Sequence, residues 1–568
     1  MGESHRIILL LPYVKIKTKY APLFNPNYLE RKNYTIDGVN IVYDSLTDNM
    51  SLAMNDSYHC VAIKGRRYEA LRVKLASKKI AEFTVGDVEQ YLYDETQKVE
   101  NQPSESIKIT AALLYECFQT NGSLPMITNI VKTSSVPTVY APMGPLNHQE
   151  PIAPCQILTN PLVTFPALFP AKTINSELAA INGRITKVAN TTVPPRIYSK
   201  YARDFVDWLV DKPHNGTPLT QEEVLDNLER PLQKARAKTV AHRLGVFAQN
   251  RLKTFNKAEA YKTPSDPRII TTMETASTLE FSRFTDAFKQ QVLKNQDWYG
   301  PGKNPAESIL ILRKITTDGS IETDFTRFDG SVSKFLQHHI VFDAYTRWVN
   351  TSEKDLVLSY LRQILKKTGT TSSGLKYKAG WGTRSGSKIT TDGNTMINCF
   401  VTYAALRNKG YIHTDAVKLL GIYAGDDGIN RALPGMCESI ESTCADLGLD
   451  VKIEVHGRNQ PMTYLSRVFP AIQTHDDSLQ DPKRTLVKIH LSPNKSVTRE
   501  QAATNKAFGY MTTDSKTPII GDYCKKILEL TNLTAKGMTN EEQHKAGCGA
   551  WPQNDVTLIS DMFCKLMN

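Results

Sequence analysis

Leu419-Leu420-Gly421-Ile422-Tyr423-Ala424-Gly425-Asp426-Asp427-Gly428-Ile429 is an apolar run that breaks at a Gly-Asp-Asp-Gly turn and resumes as apolar sequence. The pattern predicts a β-hairpin. Its tip carries two adjacent carboxylates, which repel one another in a half-buried site unless a cation sits on them. As a tripeptide, Gly-Asp-Asp arises by chance in roughly one chain in ten of this length. A surface turn is the bland reading, so the weight of the stretch depends on its surroundings.

Upstream, Ile321-Glu322-Thr323-Asp324-Phe325-Thr326-Arg327-Phe328-Asp329-Gly330 puts Asp324 at the end of a short strand. Asp329 follows where the chain turns into a helix beginning near Ser333. Asp324 is expected to face Asp426 and Asp427 across adjacent strands. Three carboxylates there suit two Mg²⁺ ions, with Mn²⁺ as a substitute, because Mg²⁺ prefers oxygen and shares its shell with substrate phosphates. Two such ions, about 3.5–4 Å apart, stabilise both the attacking and the leaving oxygen of an in-line displacement.

Between these segments lies Ser385-Gly386-Ser387-Lys388-Ile389-Thr390-Thr391-Asp392-Gly393-Asn394-Thr395-Met396-Ile397-Asn398. A Gly- and hydroxyl-rich loop runs into an apolar helix expected over Met396 to Leu406. Small residues such as Gly386 permit close backbone approach to a ligand. Ser385, Thr390 and Asn394 offer hydrogen-bonding groups suited to a ribose, whose 2′-hydroxyl both donates and accepts. The alternative is an ordinary capped helix after a flexible loop. A fourth segment, Lys257-Ala258-Glu259-Ala260-Tyr261-Lys262-Thr263-Pro264-Ser265-Asp266-Pro267-Arg268, spaces basic groups that suit a triphosphate. A structural ion pair explains it equally well.

The bulk numbers agree with this chemistry without demanding it. With 568 residues the chain needs several subdomains. Its net charge of +11 suits a polyanionic partner. Ten Lys or Arg residues fall from Arg230 to Arg268, read either as a solvated helix face or as a phosphate track. The nine cysteines form no Cys-x-x-Cys pair, which fits a reduced compartment and argues against structural zinc. No stretch reaches the roughly 20 apolar residues of a membrane-spanning helix. Gly300-Pro301-Gly302-Lys303 lacks the spacing of a P-loop. His338 and His339 are adjacent, so they cannot share one helical face.

Taken in order, the segments resemble the polymerase motifs of positive-strand RNA viruses. Asp324 to Asp329 resembles motif A, Ser385 to Asn398 motif B, and Gly425-Asp426-Asp427 motif C. Lys257, Glu259, Lys262 and Arg268 resemble motif F, Leu447-Gly448-Leu449-Asp450-Val451-Lys452 motif D, and Tyr464-Leu465-Ser466-Arg467 motif E. Within that class the likeness is to nodavirus replicases. It is carried by Asn160-Pro161-Leu162-Val163, Phe169-Pro170-Ala171-Lys172, Trp298-Tyr299-Gly300-Pro301-Gly302-Lys303, Asp481-Pro482-Lys483-Arg484-Thr485-Leu486 and Thr517-Pro518-Ile519-Ile520.

The resemblance implies an α+β right-hand polymerase fold. An N-terminal α/β extension would occupy 1–155, fingers 156–308, a palm with fingers insertions 309–470, and a thumb with tail 471–568. It implies an RNA-dependent RNA polymerase copying an RNA template from ribonucleoside triphosphates. In that scheme Asp324 and Asp426 hold the metals, with Asp427 assisting. Asp329, Ser385, Gly386, Thr390 and Asn394 surround the incoming ribose, and Lys257, Lys262 and Arg268 hold the triphosphate. Lys452 acts as general acid toward pyrophosphate, and Ser466 and Arg467 support the nascent strand.

Nodavirus replicases are longer, with a membrane-anchored capping region ahead of the polymerase. A portion of such a replicase, or a relative organised differently, is therefore expected. The implied setting is the host cytoplasm, at a membrane-associated replication complex reached through another region or protein, with self-association in view. Two rivals stand beside this reading. A reverse transcriptase usually blocks the 2′-hydroxyl with a bulky side chain, which Asp329 and Asn394 oppose. A degenerate, non-enzymatic RNA-binding scaffold is opposed by intact acids at 324, 426 and 427.

Overall fold

The apolar residues flanking Gly425-Asp426 pair as antiparallel strands, Ile422–Ala424 with Asp427–Arg431. This computed structural model describes residues 155–568 apart from 164–166, 229–230, 245–251 and 366–367. Upstream it describes 34–36, 39–44, 49–54, 57–62, 86, 90 and 139–140. The hairpin belongs to a four-stranded antiparallel sheet in the spatial order 422–424, 427–431, 320–325, 451–456. Strand Ser320–Phe325 is central, with Thr323 opposite Gly428 on one side and Asp324 opposite Lys452 on the other. Ile321, Thr323 and Phe325 are buried while Glu322 and Asp324 are not, because side chains alternate across a strand.

The buried face of this sheet rests on the helix Thr390–Asn408, in which every residue from Asp392 to Leu406 is buried. A helix covered on all sides has no polar stripe for periodicity to reveal. It starts six residues before the predicted Met396. Gly393 weakens helix propensity there and hides the first turn in the sequence, yet a Cβ at Gly393 would meet only ordinary contacts. Helices Ile197–Leu209 and Met436–Leu447 contribute to the same core. Helical patterns expected at Ser333–Trp348 and Glu353–Lys367 appear as a run from Lys334 to Trp348, with a π-helical middle, and as Lys354–Ile364.

A second sheet, ordered 376–378, 368–371, 252–256, 269–272, joins strands far apart in sequence. Its hairpin Leu252–Asn256 with Ile269–Thr272 carries the basic segment 257–268 between its strands. A third sheet pairs Met462–Tyr464, Arg467–Phe469 and Leu479–Gln480. The C-terminal helices Arg499–Asp514, Ile520–Thr531 and Val556–Met567 pack around Val468, Leu486 and Ile489. Leu158 joins this core, and the strand Gln156–Ile157 pairs with Leu491–Ser492.

Near the N-terminus, strands 34–36, 39–44, 49–54 and 57–62 form an antiparallel meander. The strands expected at Val39–Tyr43 and His59–Ile63 are Val39–Asp44 and Ser57–Ala62. The strand expected at Ile7–Leu11 and the helices at Ala70–Ala76 and Ile109–Thr120 lie outside the described residues, as does most of the Pro-rich connection 134–154. Among the described residues no helix is long and apolar enough to cross a membrane. The seven cysteines from Cys155 onward are free thiols. His338 meets Trp381 edge to face while His339 turns to Asp343, so the two rings diverge.

The C-terminal core buries a titratable group. His490 is 2% exposed, and burial together with nearby Lys506 pushes its pKa down to about 4. Unfolded histidine titrates near 6.5. Between those values the folded state binds fewer protons than the unfolded one, so stability is lost as pH falls from about 6.5 toward 4. The expected loss is up to about 3 kcal/mol. Guanidinium unfolding at about pH 7 and about pH 4.5 should show a smaller acid loss for His490→Gln than for the wild type.

Candidate active site

The hairpin turn is Gly425-Asp426, since Ala424 pairs with Asp427. Gly425 has φ +68°, as a two-residue hairpin turn with glycine in first place requires. The long central helix then fixes this turn. Thr395 Oγ1 accepts the Gly425 N–H at 2.8 Å. The Asn398 amide donates toward the carbonyls of Gly425, Asp426 and Asp427 at 3.1, 3.2 and 3.1 Å. Asn398 is buried, so its amide depends on those carbonyls for its hydrogen bonds. Deeper in the same layer, Asn430 joins Thr402 and Tyr423 to the central strand. Asn398 was quoted in the sequence but given no role. Its signal was its place one helical turn after Asn394, on the same helix face.

Asp324, Asp426 and Asp427 lie close enough at one end of the sheet for the charge of Asp426 to act on the other two, although their ligand atoms do not all fall within 4.8 Å of one another. Burial, then the charge of Asp426, raises the Asp324 pKa, against the pull of Lys452 and Arg484. Burial and the charges of Asp426 and Asp324 push Asp427 up to about 7, against Arg484. The neighbouring cations therefore leave the carboxylate charge incompletely compensated. An all-oxygen donor set with surplus negative charge fits a hard divalent cation. A second group that the sequence reading missed lies two residues back on the same strand face. Glu322, Glu454 and His456 hold ligand-type atoms within 4.8 Å of one another. Burial and the charges of Glu454 and Asp427 push Glu322 up to about 7, although the Thr463 N–H donates to it.

Beside the aspartates, the Asn394 amide donates to Asp329 Oδ1 at 2.5 Å. Burial raises the Asp329 pKa, and hydrogen bonds from Asn394 and Ser385 act against it. Asn394 Oδ1 is buried without a hydrogen-bond partner, and the residue is part of the cavity wall. Two neighbours behave otherwise than expected. Thr390 Oγ1 lies 2.8 Å from the Arg384 carbonyl and 2.9 Å from that of Ser387, so its proton is used inside the loop. Gly386, at φ +96°, brings the loop against the strand 269–272 rather than a ligand. A Cβ there would lie 3.0 Å from the Thr271 carbonyl.

The basic segment is held by its own acid. Glu259 pairs with Lys257 at 2.7 Å and Arg268 at 3.7 Å, and Tyr261 donates to it. Arg268 lines the cavity, whereas Lys257 and Lys262 are not among its lining residues. Arg184, Arg327 and Arg484 are, and none of them had been singled out from sequence. The cavity, of about 1300 Å³, is lined also by Asp324, Asp426, Lys452, Leu465 and Ser466.

Leu465 and Ser466 form the tip of the hairpin 462–469, with φ +51° and +63°. Arg467, expected to support the nascent strand, lines the cavity, but its guanidinium is turned into the protein. Its guanidinium is 3% exposed and bonds Asp514 at 3.1 Å, Ser478 and the Thr513 carbonyl. A buried arginine must be fully paired, and this one ties the hairpin to the helix Arg499–Asp514.

Residues 216–509, just over half of the chain, match the family described as viral RNA-dependent RNA polymerase. The chain belongs to that family. The RNA-directed RNA polymerase of Pariacoto virus is 38% identical over 572 residues, which cover 100% of this chain and 58% of that protein. The Pieris rapae virus polymerase is 36% identical, covering 98% of this chain and 55% of the other. That of Flock house virus is 31% identical, covering 76% and 46%. The likeness to nodaviruses read from the sequence is thus borne out. The chain spans a little over half the length of the first two of these relatives.

Proposed function

We propose that this chain carries the catalytic polymerase of a viral replicase and copies an RNA template into complementary RNA from ribonucleoside triphosphates. The observation that carries the reading is the pairing of Asp329 with Asn394 in the wall of the cavity that Asp324 and Asp426 also line, with Asn394 Oδ1 left without a partner. A buried acceptor with no partner costs about 1–3 kcal/mol unless a ligand donor meets it. A sugar hydroxyl supplies such a donor.

In this reading the antiparallel sheet and its helices are the palm. The sheet bearing 252–272 belongs to the fingers, and the C-terminal helices, joined by residues 156–158, form the thumb. Asp324 and Asp426, assisted by Asp427, hold two Mg²⁺, which when bound neutralise the triphosphate and activate the attacking 3′-hydroxyl. Arg268, with Lys262 and Lys257 behind it, orients the triphosphate. Ser385 and the Asp329–Asn394 pair hold the ribose. Lys452 gives its proton to the leaving pyrophosphate oxygen. Ser466, at the hairpin tip, meets the nascent strand. Positioning and charge neutralisation supply most of the rate. RNA template and product, a membrane-bound replication complex and a second copy of the chain are the partners this reading calls for, in the host cytoplasm.

Synthesis on a defined RNA template, with and without primer and with either rNTPs or dNTPs, tests it. Product only with rNTPs and a divalent cation is expected. Incorporation of dNTPs alone would favour a reverse transcriptase, and no incorporation a degenerate scaffold. Asn394→Ala should lower the preference for rNTP over dNTP by about tenfold or more, as one hydrogen bond at a buried site is worth about 1.5 kcal/mol. Competition between ATP and dATP in single-nucleotide incorporation measures it.

A further inference from the structure

Arg327 stands between the metal-binding Asp324 and the ribose-facing Asp329, in the left-handed conformation at φ +52° and ψ +42°. A non-glycine residue rarely adopts that backbone and loses about 1 kcal/mol or more by doing so. What holds it is a clamp. Its guanidinium donates to the Gly183 carbonyl at 2.7 Å and to Asp266 Oδ2 at 2.7 Å. Asp266 lies two residues before Arg268, in the segment read as the triphosphate strap. From the other side, Arg184 donates twice to the Asp266 carbonyl, at 3.1 and 3.0 Å.

The three segments touch without slack. A Cβ on Gly183 would fall 1.9 Å from Asp266 Oδ2, and one on Gly330 would fall 2.2 Å from the Arg184 carbonyl. Arg184, Arg268, Arg327 and Asp329 all line the same cavity. The turn 327–330 is therefore fastened to the strap by one side chain, through Asp266 and the π-helical turn Asn182–Thr186.

We propose that Arg327 is a positioning residue that fixes the strap holding the triphosphate relative to the turn that binds metal and ribose. The inference rests on the polymerase reading above. Asp324 is paired with Lys452 and follows Thr323, which is paired on both sides, so loss of the clamp leaves the chemistry in place and loosens nucleotide docking. A strap no longer fixed to the turn must be ordered when the nucleotide binds, and that lost preorganisation weakens affinity.

The test is single-nucleotide incorporation by wild type, Arg327→Gly, Arg327→Lys, Asp266→Ala and the Arg327→Gly/Asp266→Ala double variant, with rNTP affinity measured separately by titration. Glycine accepts the backbone conformation, so Arg327→Gly removes the clamp without adding strain. Arg327→Gly and Asp266→Ala should each raise KM for the rNTP at least tenfold, with kcat changed less than threefold. The double variant should be no worse than the singles, Arg327→Lys should recover part of the loss, and the titrated affinity should follow KM. Additive losses, an equal fall in kcat, or wild-type KM in Arg327→Gly would overturn the proposal. An inactive wild type would instead overturn the polymerase reading, and this inference with it.

Discussion

Asp426→Asn is expected to lower nucleotide incorporation by at least about 10⁴-fold, some 5.5 kcal/mol of barrier, and to leave the fold intact. Asp426 sits at the hairpin tip, and its charge is the largest neighbouring contribution raising both Asp324 and Asp427. Asparagine keeps the shape but removes the charge that a divalent cation needs. With no cation present, the substitution also relieves like-charge repulsion. The melting temperature of the metal-free variant should therefore equal or exceed that of the wild type, and divalent cation should stabilise the variant less. Primer extension and thermal unfolding with and without Mg²⁺ check both. An active Asp426→Asn enzyme would sink the assignment of the catalytic centre.

Asn398→Ala is the second large effect, and it acts through geometry. The side chain touches no carboxylate oxygen, yet it holds the carbonyls of Gly425, Asp426 and Asp427. Removing it leaves buried carbonyls unsatisfied, at about 1–3 kcal/mol for each group affected. The turn that aims both aspartates then loses its main tether, with Thr395 alone remaining. Stability should fall by about 2–4 kcal/mol and kcat by about a hundredfold or more, with KM for rNTP nearly unchanged. Asn398→Asp should be worse still, because it buries a further negative charge beside three carboxylates. Denaturant unfolding and single-nucleotide kinetics separate the two contributions. A kcat within threefold of wild type in Asn398→Ala would show that the turn holds itself.

The candidate carboxylates were legible because hairpin turns and short strands are local. Glycine at 425 fits the turn, the apolar runs about it define the strands, and the spacing of Asp324 from Asp329 follows the same logic. The pairing of Asn394 with Asp329 also appeared where the residue types suggested it. The cavity arginines were not legible in the same way. Arg184 and Arg327 carry no local pattern, and their meaning comes from Asp266, which is remote from both in sequence. Arg467 misled for the reverse reason. An arginine in a signature segment reads as a contact to nucleic acid, and only its burial against Asp514 reveals a structural role.

By itself the sequence determined the chemistry of this protein: which carboxylates, hydroxyls and amides are present, and in what order. That was enough to propose a class of reaction, because turns and strands fix the spacing of neighbours within a few residues. Tertiary structure alone decided which of those groups are free to act. Burial and long-range pairing commit Arg467 and Thr390 elsewhere, bring Asn398 to three carbonyls of the catalytic turn, and set Arg327 across two segments that the chain keeps far apart. Those choices depend on packing and desolvation, which no local run of residues encodes.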